Sequence, residues 1–160
     1  MNRPCFLEDG NYVTAGGILF YRYNKNRIEV LLIKKKDQYE DIGGKTEPFD
    51  TSILHTATRE VEEETNAMIQ SRHITPLLYK SHKLYSVQNK YVLYLVKANK
   101  YIRKLTTDTF NTHELLYDIP RTIHWVQLSE LYLKKLHPRL YSNEIITAFS
   151  QKQKAHSNKD

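Results

Sequence analysis

Runs of apolar residues along the chain predict several β-strands. Residues 13–23 and 27–33 are rich in apolar and β-branched side chains, and the polar residues 24–26 between them have the composition of a tight turn. This spacing predicts a β-hairpin. Residues 90–98 are apolar almost throughout, which is typical of a strand that is covered on both faces.

Shorter patterns predict the rest of the sheet and its connections. Residues 74–80, 82–87 and 122–128 have the apolar content of further strands. Residues 41–50 contain paired glycines and a proline and predict a loop, and residues 99–120 are polar and irregular.

The clearest helical periodicity lies in residues 51–65. Thr51 or Ser52 can cap the start of this helix, and Asn66 can end it because Asn tolerates a left-handed backbone conformation. Its apolar positions recur on one face, which we expect to pack against the sheet. They are Leu54, Ala57, Thr58 and Val61.

Two more helices are predicted near the end of the chain. Residues 129–135 are expected to form a short helix capped by Ser129, and a last helix runs from about 142 to 153. The side chains that we expect to face inward from the last helix are Ile145, Ile146 and Phe149. Residues 155–160 are predicted to fray. Strands and helices together predict a mixed α/β protein.

Length and composition narrow the class of protein. The chain has 160 residues, and we assign residues 1–160 to one domain with a core at about 10–150. A content of 40% hydrophobic and 26% charged residues is ordinary for a globular protein. The single cysteine, Cys5, excludes an internal disulfide framework and a cysteine-rich zinc site. With no signal peptide and no apolar run near the ~20 residues of a membrane helix, we expect a cytoplasmic location and no membrane contact.

The charge of the chain is unevenly distributed. A net charge of +6 favours an anionic partner that contains phosphate. Residues 59–64 nevertheless carry one positive and four negative charges, so the other 154 residues carry +9 in total. An acidic patch within a basic chain suits a protein that binds both a cation and phosphate groups.

The acidic patch lies on the best-defined helix. Glu60, Glu63 and Glu64 share one face at helical spacing, whereas Glu62 points away. Their mutual repulsion would be relieved by a hard divalent cation, which prefers oxygen ligands. The alternative is a solvated acidic face on which Arg59 makes a local salt bridge.

A glycine pair upstream of the helix favours the ligand-binding interpretation. Gly43 and Gly44 allow the backbone to approach a ligand closely because they carry no side chain. Lys45 follows at once and is placed to meet a phosphate group.

Residues 43–67 resemble the signature of the Nudix (MutT-type) hydrolases. The matching positions are Gly44, Arg59, Glu60, Glu63 and Glu64. The chain departs from the signature in having Asp50 in place of a loop Glu and one extra residue between Asp50 and Arg59, which we expect to bulge the loop between Phe49 and Ile53. It also has Asn66 and Ala67 in place of the final Gly and large aliphatic residue.

The resemblance implies an α/β/α sandwich with a mixed β-sheet, and cleavage of a diphosphate bond in a nucleoside diphosphate that is linked to another group. Mg²⁺ or Mn²⁺ is the implied cofactor. Glu63, Glu64 and the Gly43 carbonyl would hold the metal, Glu60 would be a further ligand or the general base, and Arg59 would orient Glu60. Gly44 and Lys45 would contact the substrate.

Two weaker assignments come from later in the chain. Some members of the family use an additional loop Glu, for which Glu114 and Asp118 are candidates and Glu114 is preferred. Tyr85 lies near the position of a marker tyrosine of the dinucleoside tetraphosphate hydrolases. Each of these residues could instead be an ordinary loop carboxylate or sheet tyrosine.

The substrate stays open at this point. A free nucleotide or a nucleotide sugar is the first choice, and capped RNA, as in mRNA decapping, is the alternative. A basic rim for RNA could be formed by residues 34–36, Lys80, His82 and Lys83, although an ordinary solvated surface is the preferred interpretation of these residues. A module that binds nucleotide without cleaving it is a third possibility, and nothing in the sequence determines the oligomeric state.

Overall fold

The computed structural model describes residues 2–141 and 143–159 of the chain. The strands in this part are β1 (Phe6–Glu8), β2 (Asn11–Val13), β3 (Ala15–Asn24), β4 (Arg27–Lys35), β5 (Gln38–Glu40), β6 (Ile42–Lys45), β7 (His82–Ser86), β8 (Tyr91–Lys97), β9 (His113–Glu114), β10 (Ile119–Pro120) and β11 (Thr122–Gln127). The α-helices are α1 (Ile53–Glu64), α2 (Ser71–Leu78) and α3 (Asn143–Ser157). Short 3₁₀-helices lie at Ile102–Lys104, Thr107–Phe110, Leu128–Leu133 and Pro138–Leu140.

A mixed sheet forms the centre of the molecule. Its main strands follow the order β11-β4-β3-β8-β7, with β5 added to β4 and β6 added to β3. Only β3 and β8 run parallel among these pairs, and the remaining pairs are antiparallel. The predicted hairpin is confirmed as β3 and β4. Lys25 and Asn26 at its turn both have positive φ, as a two-residue hairpin turn of the primed type requires.

The sheet is covered on both faces. One core lies between the sheet and helices α1 and α2, and it includes Ile18, Phe20 and Val61. The other core lies between the sheet and α3, and it includes Leu19 and Phe149. Alternate residues of β3 enter opposite cores, so the predicted α/β/α sandwich with a mixed sheet is confirmed.

Part of the predicted loop 41–50 is a strand instead. In β6, Gly43 lies opposite Gly17 and Gly44 lies opposite Gly16 on β3. Glycine is a poor strand former in isolation, and the loop prediction followed that preference. Pairing with a long neighbouring strand outweighs it here.

The strand predicted at residues 74–80 is wrong, because this segment belongs to helix α2. Its buried residues, Ile74 and Leu78, are four positions apart, a spacing that puts two side chains on the same face of either a helix or a strand. The strand predicted at 82–87 is confirmed as β7, and the fully apolar segment 90–98 is confirmed as β8.

The predictions for the end of the chain are partly wrong. The segment 129–135 is a 3₁₀-helix that begins at Leu128, and no side chain caps it, so Ser129 is not a cap. Helix α3 continues to Ser157 rather than fraying from residue 155. The predicted start at residue 142 lies outside the described residues.

Two of the three side chains predicted to face inward from α3 do so. Ile145 and Phe149 are buried, whereas Ile146 is 61% exposed. Positions 145 and 149 share a helix face, and position 146 is rotated by about 100° from 145. In the described part of the chain, no helix combines the length and the apolar content that crossing a bilayer demands.

Helix α1 is capped by Ser52, one of the two residues that the sequence left open. The Ser52 hydroxyl accepts a hydrogen bond of 3.1 Å from the His55 backbone N–H. We therefore expect Ser52→Ala to lower the free energy of unfolding by about 1 kcal/mol. Thr51→Ala is the matched control and should cost less than about 0.5 kcal/mol. Urea unfolding of both variants measures this difference, and equal losses would contradict the assignment of the cap.

Candidate active site

Helix α1 is pressed closely against the sheet at two glycines. A side chain at Gly16 would meet Ile53 of the helix at 3.1 Å. A side chain at Gly44 would overlap the carboxylate of Glu60. Gly44 therefore leaves the space in which the Glu60 carboxylate lies, next to the backbone of β6.

Arg59 is the centre of the contacts around this carboxylate. Its Nη1 lies 3.1 Å from Glu60 Oε1 and 3.2 Å from Glu63 Oε2. Its Nε and Nη2 each donate to Asp50 at 2.9 Å, and Nη2 also donates to the Lys45 carbonyl at 3.1 Å. The contact between Arg59 and Glu60 that the resemblance implies is present, and the guanidinium is almost entirely buried.

Asp50 holds Arg59 from the loop that precedes the helix. Its Oδ2 also accepts hydrogen bonds of 2.8 Å from the Thr56 hydroxyl and from the Glu47 backbone N–H. Burial by itself would raise the pKa of Asp50, but the hydrogen bonds, led by those from Arg59, hold it below its ordinary value of 3.8. Helix α1 begins after this loop, at Ile53, and is continuous to Glu64.

The predicted acidic face of α1 is present. The side chains of Glu60, Glu63 and Glu64 are all largely buried. Glu62 points away and accepts a hydrogen bond of 3.2 Å from the Ser71 backbone N–H. Burial raises the pKa of Glu60 to about 7. The Arg59 guanidinium opposes this rise, whereas the two neighbouring carboxylates add to it.

Glu64 has a different cationic partner, which the sequence did not indicate. Lys35, at the end of β4, lies 3.1 Å from Glu64 Oε1 and 3.3 Å from Glu40 Oε1. Burial raises the pKa of Glu64, and Lys35 opposes this effect. Lys35 is among the residues that could have formed a basic rim, but its ammonium group pairs with the two carboxylates Glu64 and Glu40.

Glu114 lies with these carboxylates, and Asp118 does not. Glu114 is in β9 and is 3% exposed, whereas Asp118 is exposed in the turn before β10. Burial raises the pKa of Glu114, and the charge of Glu64 raises it further. The preferred loop carboxylate is thus buried and within range of the charges of Glu64 and Glu63 on the acidic face of α1.

Arg121 and Asn66 hold the segment that carries Glu114, a role that the sequence did not indicate for either residue. Arg121 donates from Nε and Nη2 to the Glu64 carbonyl at 3.0 and 2.8 Å. Asn66 has φ of 53°, as expected for the residue that ends the helix. Its side chain also forms hydrogen bonds with the backbone on both sides of Glu114. Neither residue has a local pattern that reveals these contacts.

The side chains of the remaining candidate residues make no hydrogen bond to the carboxylates of the acidic face in the part of the chain that the structure describes. Tyr85 is on β7, and its hydroxyl donates to Asp9 at 2.6 Å, beside Lys83. Lys45 is exposed at the end of β6, and its carbonyl is the group that contacts Arg59. Lys83 pairs with Asp9 and Glu8, so part of the supposed basic rim is neutralised within the fold.

Gly43 is required for packing on the opposite face of the sheet. The Tyr91 hydroxyl bonds to the buried carboxylate of Asp41, which is also paired with Arg139 at 2.6 Å. A side chain at Gly43 would overlap this hydroxyl, and one at Gly17 would overlap both the hydroxyl and Asp41. The glycine therefore accommodates a buried polar network, whatever its carbonyl binds.

The donor groups of the acidic face fit a hard divalent cation. Carboxylate oxygens are the ligands that Mg²⁺ and Mn²⁺ prefer. One buried oxygen, Glu64 Oε2, has no hydrogen-bond partner among the described residues. In the same part of the chain, no three His, Cys, Asp or Glu side chains lie close enough together to form a ready ligand set. Arg59 and Lys35 separate the carboxylates, so an ion would exchange with these cations.

Comparison with known proteins supports the assignment made from the residues. A family model described as the NUDIX domain matches residues 12–145. The chain belongs to the NUDIX family, and the prediction of a Nudix hydrolase is confirmed at the level of the family. No curated protein matches the sequence significantly.

Several solved structures are similar to this chain. One is a C. elegans Ap4A hydrolase in a binary complex, with 21% identity, a TM-score of 0.48 and coverage of 76% of this chain and 85% of that chain. Another is the NUDIX domain of Shewanella oneidensis NrtR complexed with ADP ribose, with 14% identity, a TM-score of 0.46 and 78% coverage of both chains.

The Asp50–Arg59 pair predicts a dependence of stability on pH. Asp50→Asn leaves the buried guanidinium without its main anionic partner, and we expect a loss of about 3 kcal/mol at pH 7. Since the pKa of Asp50 is depressed in the folded protein, its contribution is complete above the unfolded value and is lost as pH falls below about 4. Urea unfolding between pH 7 and 3 should show that the difference in free energy of unfolding between wild type and Asp50→Asn becomes smaller as the pH falls. Glu47→Gln is the control, and a gap that stays constant to pH 3 would argue against this account.

The two glycines of β3 that lie opposite β6 are predicted to differ in how well they tolerate alanine. Gly17→Ala places a methyl group on the Tyr91 hydroxyl and the Asp41 carboxylate, both of which are buried, so we expect a loss of about 3 kcal/mol or more. Gly16→Ala meets only apolar side-chain carbons of Ile53 and Val92, at 3.1–3.3 Å, and should cost less, about 1 kcal/mol. Denaturant unfolding compares the two variants, and similar stabilities would show that the buried network does not constrain this strand.

Proposed function

We propose that this protein is a divalent-metal-dependent hydrolase that cleaves a diphosphate bond in a nucleoside diphosphate linked to another group. The observation that carries the proposal is the buried acidic face of α1. Three carboxylates are held there between Arg59 and Lys35, with Glu114 beside them and the backbone of Gly44 against Glu60. Burying four carboxylates together costs free energy of folding. A role in binding a metal ion and in hydrolysis accounts for their being kept in spite of this cost.

The proposed roles of the residues follow from where each one lies in the site. Glu63 and Glu64 would hold the metal, together with the Gly43 carbonyl, and Glu60 would complete the ligands or act as general base. A bound Mg²⁺ or Mn²⁺ supplies neutralisation of the phosphate charge and acidification of water. Arg59 fixes Glu60 and Glu63 relative to each other through charge-assisted hydrogen bonds.

Glu114 is the second candidate for proton transfer. It projects from a different segment than the other three carboxylates, and burial keeps its pKa raised. A carboxylate with a raised pKa can accept a proton from water near neutral pH. Lys45 and Gly44, at the end of β6, would face the phosphate groups of the substrate.

Glu63→Gln tests the role of the acidic face. Removing one negative charge from the ligand set should lower the rate of diphosphate hydrolysis at least ~10²-fold and weaken Mn²⁺ binding, with little change in stability. Steady-state kinetics and a titration with Mn²⁺ measure the two effects. Glu62→Gln is the matched control, because Glu62 points away from the other carboxylates, and it should retain the wild-type rate. Full activity of Glu63→Gln, or full activity in excess chelator, would overturn the proposed function.

The substrate is identified by a hydrolysis screen with Mg²⁺ and Mn²⁺, in which the products are determined by mass. The panel contains nucleoside triphosphates, nucleotide sugars, dinucleoside polyphosphates, diphosphoinositol compounds and a capped RNA. Preferred cleavage of a small nucleotide supports the first choice of substrate. Preferred cleavage of capped RNA, with an affinity that falls steeply with salt, favours mRNA decapping. Tight nucleotide binding without turnover under either metal would instead indicate a binding module.

A further inference from the structure

Asn66 follows α1 and makes two hydrogen bonds to a segment that is distant in sequence. Its Nδ2 donates to the His113 carbonyl at 2.8 Å, and its Oδ1 accepts from the Leu115 backbone N–H at 2.8 Å. Only the nitrogen can donate to a carbonyl and only the oxygen can accept from an N–H, so the two partners fix the amide orientation. One side chain thereby holds the backbone on both sides of Glu114.

The backbone of Asn66 imposes a separate requirement. Its φ of 53° lies in the left-handed region, which ends the helix. The backbone N–H of Asn66 bonds to the Glu63 carbonyl, and that of Ala67 bonds to the Glu62 carbonyl. Glycine meets this backbone requirement as well as asparagine does, but glycine cannot supply the amide. Position 66 therefore has a second role beyond ending the helix.

The segment that carries Glu114 needs outside support. Strands β9 and β10 are two residues each, and so short a hairpin is not stable on its own. Arg121 anchors one end, because it bonds to the Glu64 carbonyl and, through Nη1, to the Asn111 carbonyl at 2.9 Å. Asn66 anchors the hairpin at Glu114 itself. Both anchors attach to the end of α1, next to Glu64.

We propose that Asn66 is a positioning residue for Glu114. Its amide fixes the backbone of residues 113 and 115, and this keeps the Glu114 carboxylate buried beside Glu64 at the acidic face. The inference rests on the proposed function in one respect, namely that Glu114 takes part in the hydrolysis. The hydrogen bonds and the burial that carry it are independent of the substrate.

Asn66→Gly tests the proposal in the full-length protein, because it keeps the left-handed backbone and removes only the amide. We expect kcat to fall on the order of 10-fold, with a smaller change in KM, since a displaced catalytic group slows the chemical step. We also expect the Leu115 amide to exchange hydrogen faster, while amides of the central strand β3 keep their protection. Asn26→Gly is the matched control, because Asn26 is another left-handed asparagine, in the turn between β3 and β4, and it should leave both measurements unchanged.

Glu114→Gln and the double variant with Asn66→Gly show whether Asn66 acts through Glu114. If it does, the double variant is no slower than Glu114→Gln alone. Losses that multiply, or wild-type kinetics together with unchanged Leu115 exchange in Asn66→Gly, would overturn the proposal. These outcomes are distinct from failure of the proposed function, which Glu63→Gln reports: an inactive Glu63→Gln beside a fully active Asn66→Gly contradicts only the role of Asn66.

Discussion

The buried ion pair between Arg59 and Asp50 is the contact on which the site depends. Arg59 belongs to helix α1 and Asp50 to the preceding loop, and the same guanidinium donates to the Lys45 carbonyl at the end of β6. A buried charge is costly unless it is fully paired, so helix, loop and strand cannot separate without exposing it or leaving it unpaired. Its remaining hydrogen bonds then determine where Glu60 and Glu63 lie.

Two further basic side chains, Lys35 and Arg121, offset the negative charge at the Glu64 end of the acidic face. Lys35 comes from β4 and pairs with the Glu64 carboxylate. Arg121 lies just before β11 and donates to the Glu64 backbone carbonyl. The repulsion between neighbouring carboxylates is therefore offset from two directions, which allows them to stay buried and close. One oxygen of Glu64 remains without a protein partner among the described residues. A divalent cation can use these carboxylates and the unsatisfied oxygen once it takes the place of the cations that separate them.

Much of the fold could be predicted from the sequence because the relevant signals are local. The hairpin of β3 and β4, the buried strand β8 and the helix α1 follow from apolar spacing over ten or so residues, and the acidic face follows from the turn of a helix. The errors arose where the spacing was ambiguous or where pairing outweighed preference. Ile74 and Leu78 fit either a helix or a strand, and β6 is a strand only because β3 lies beside it.

The sequence by itself indicated the class of protein, since glutamates at helical spacing after a glycine pair match most of the Nudix signature, favour a cation and allow a close backbone approach. Only the tertiary structure decided which other groups join them. Lys35, Glu114 and Arg121 lie 29, 50 and 57 residues from Glu64 along the chain. The same holds for Asn66, whose partners are 47 and 49 residues away. Contacts of this kind leave no periodic trace, because they depend on how separate elements pack and not on the geometry of any one element.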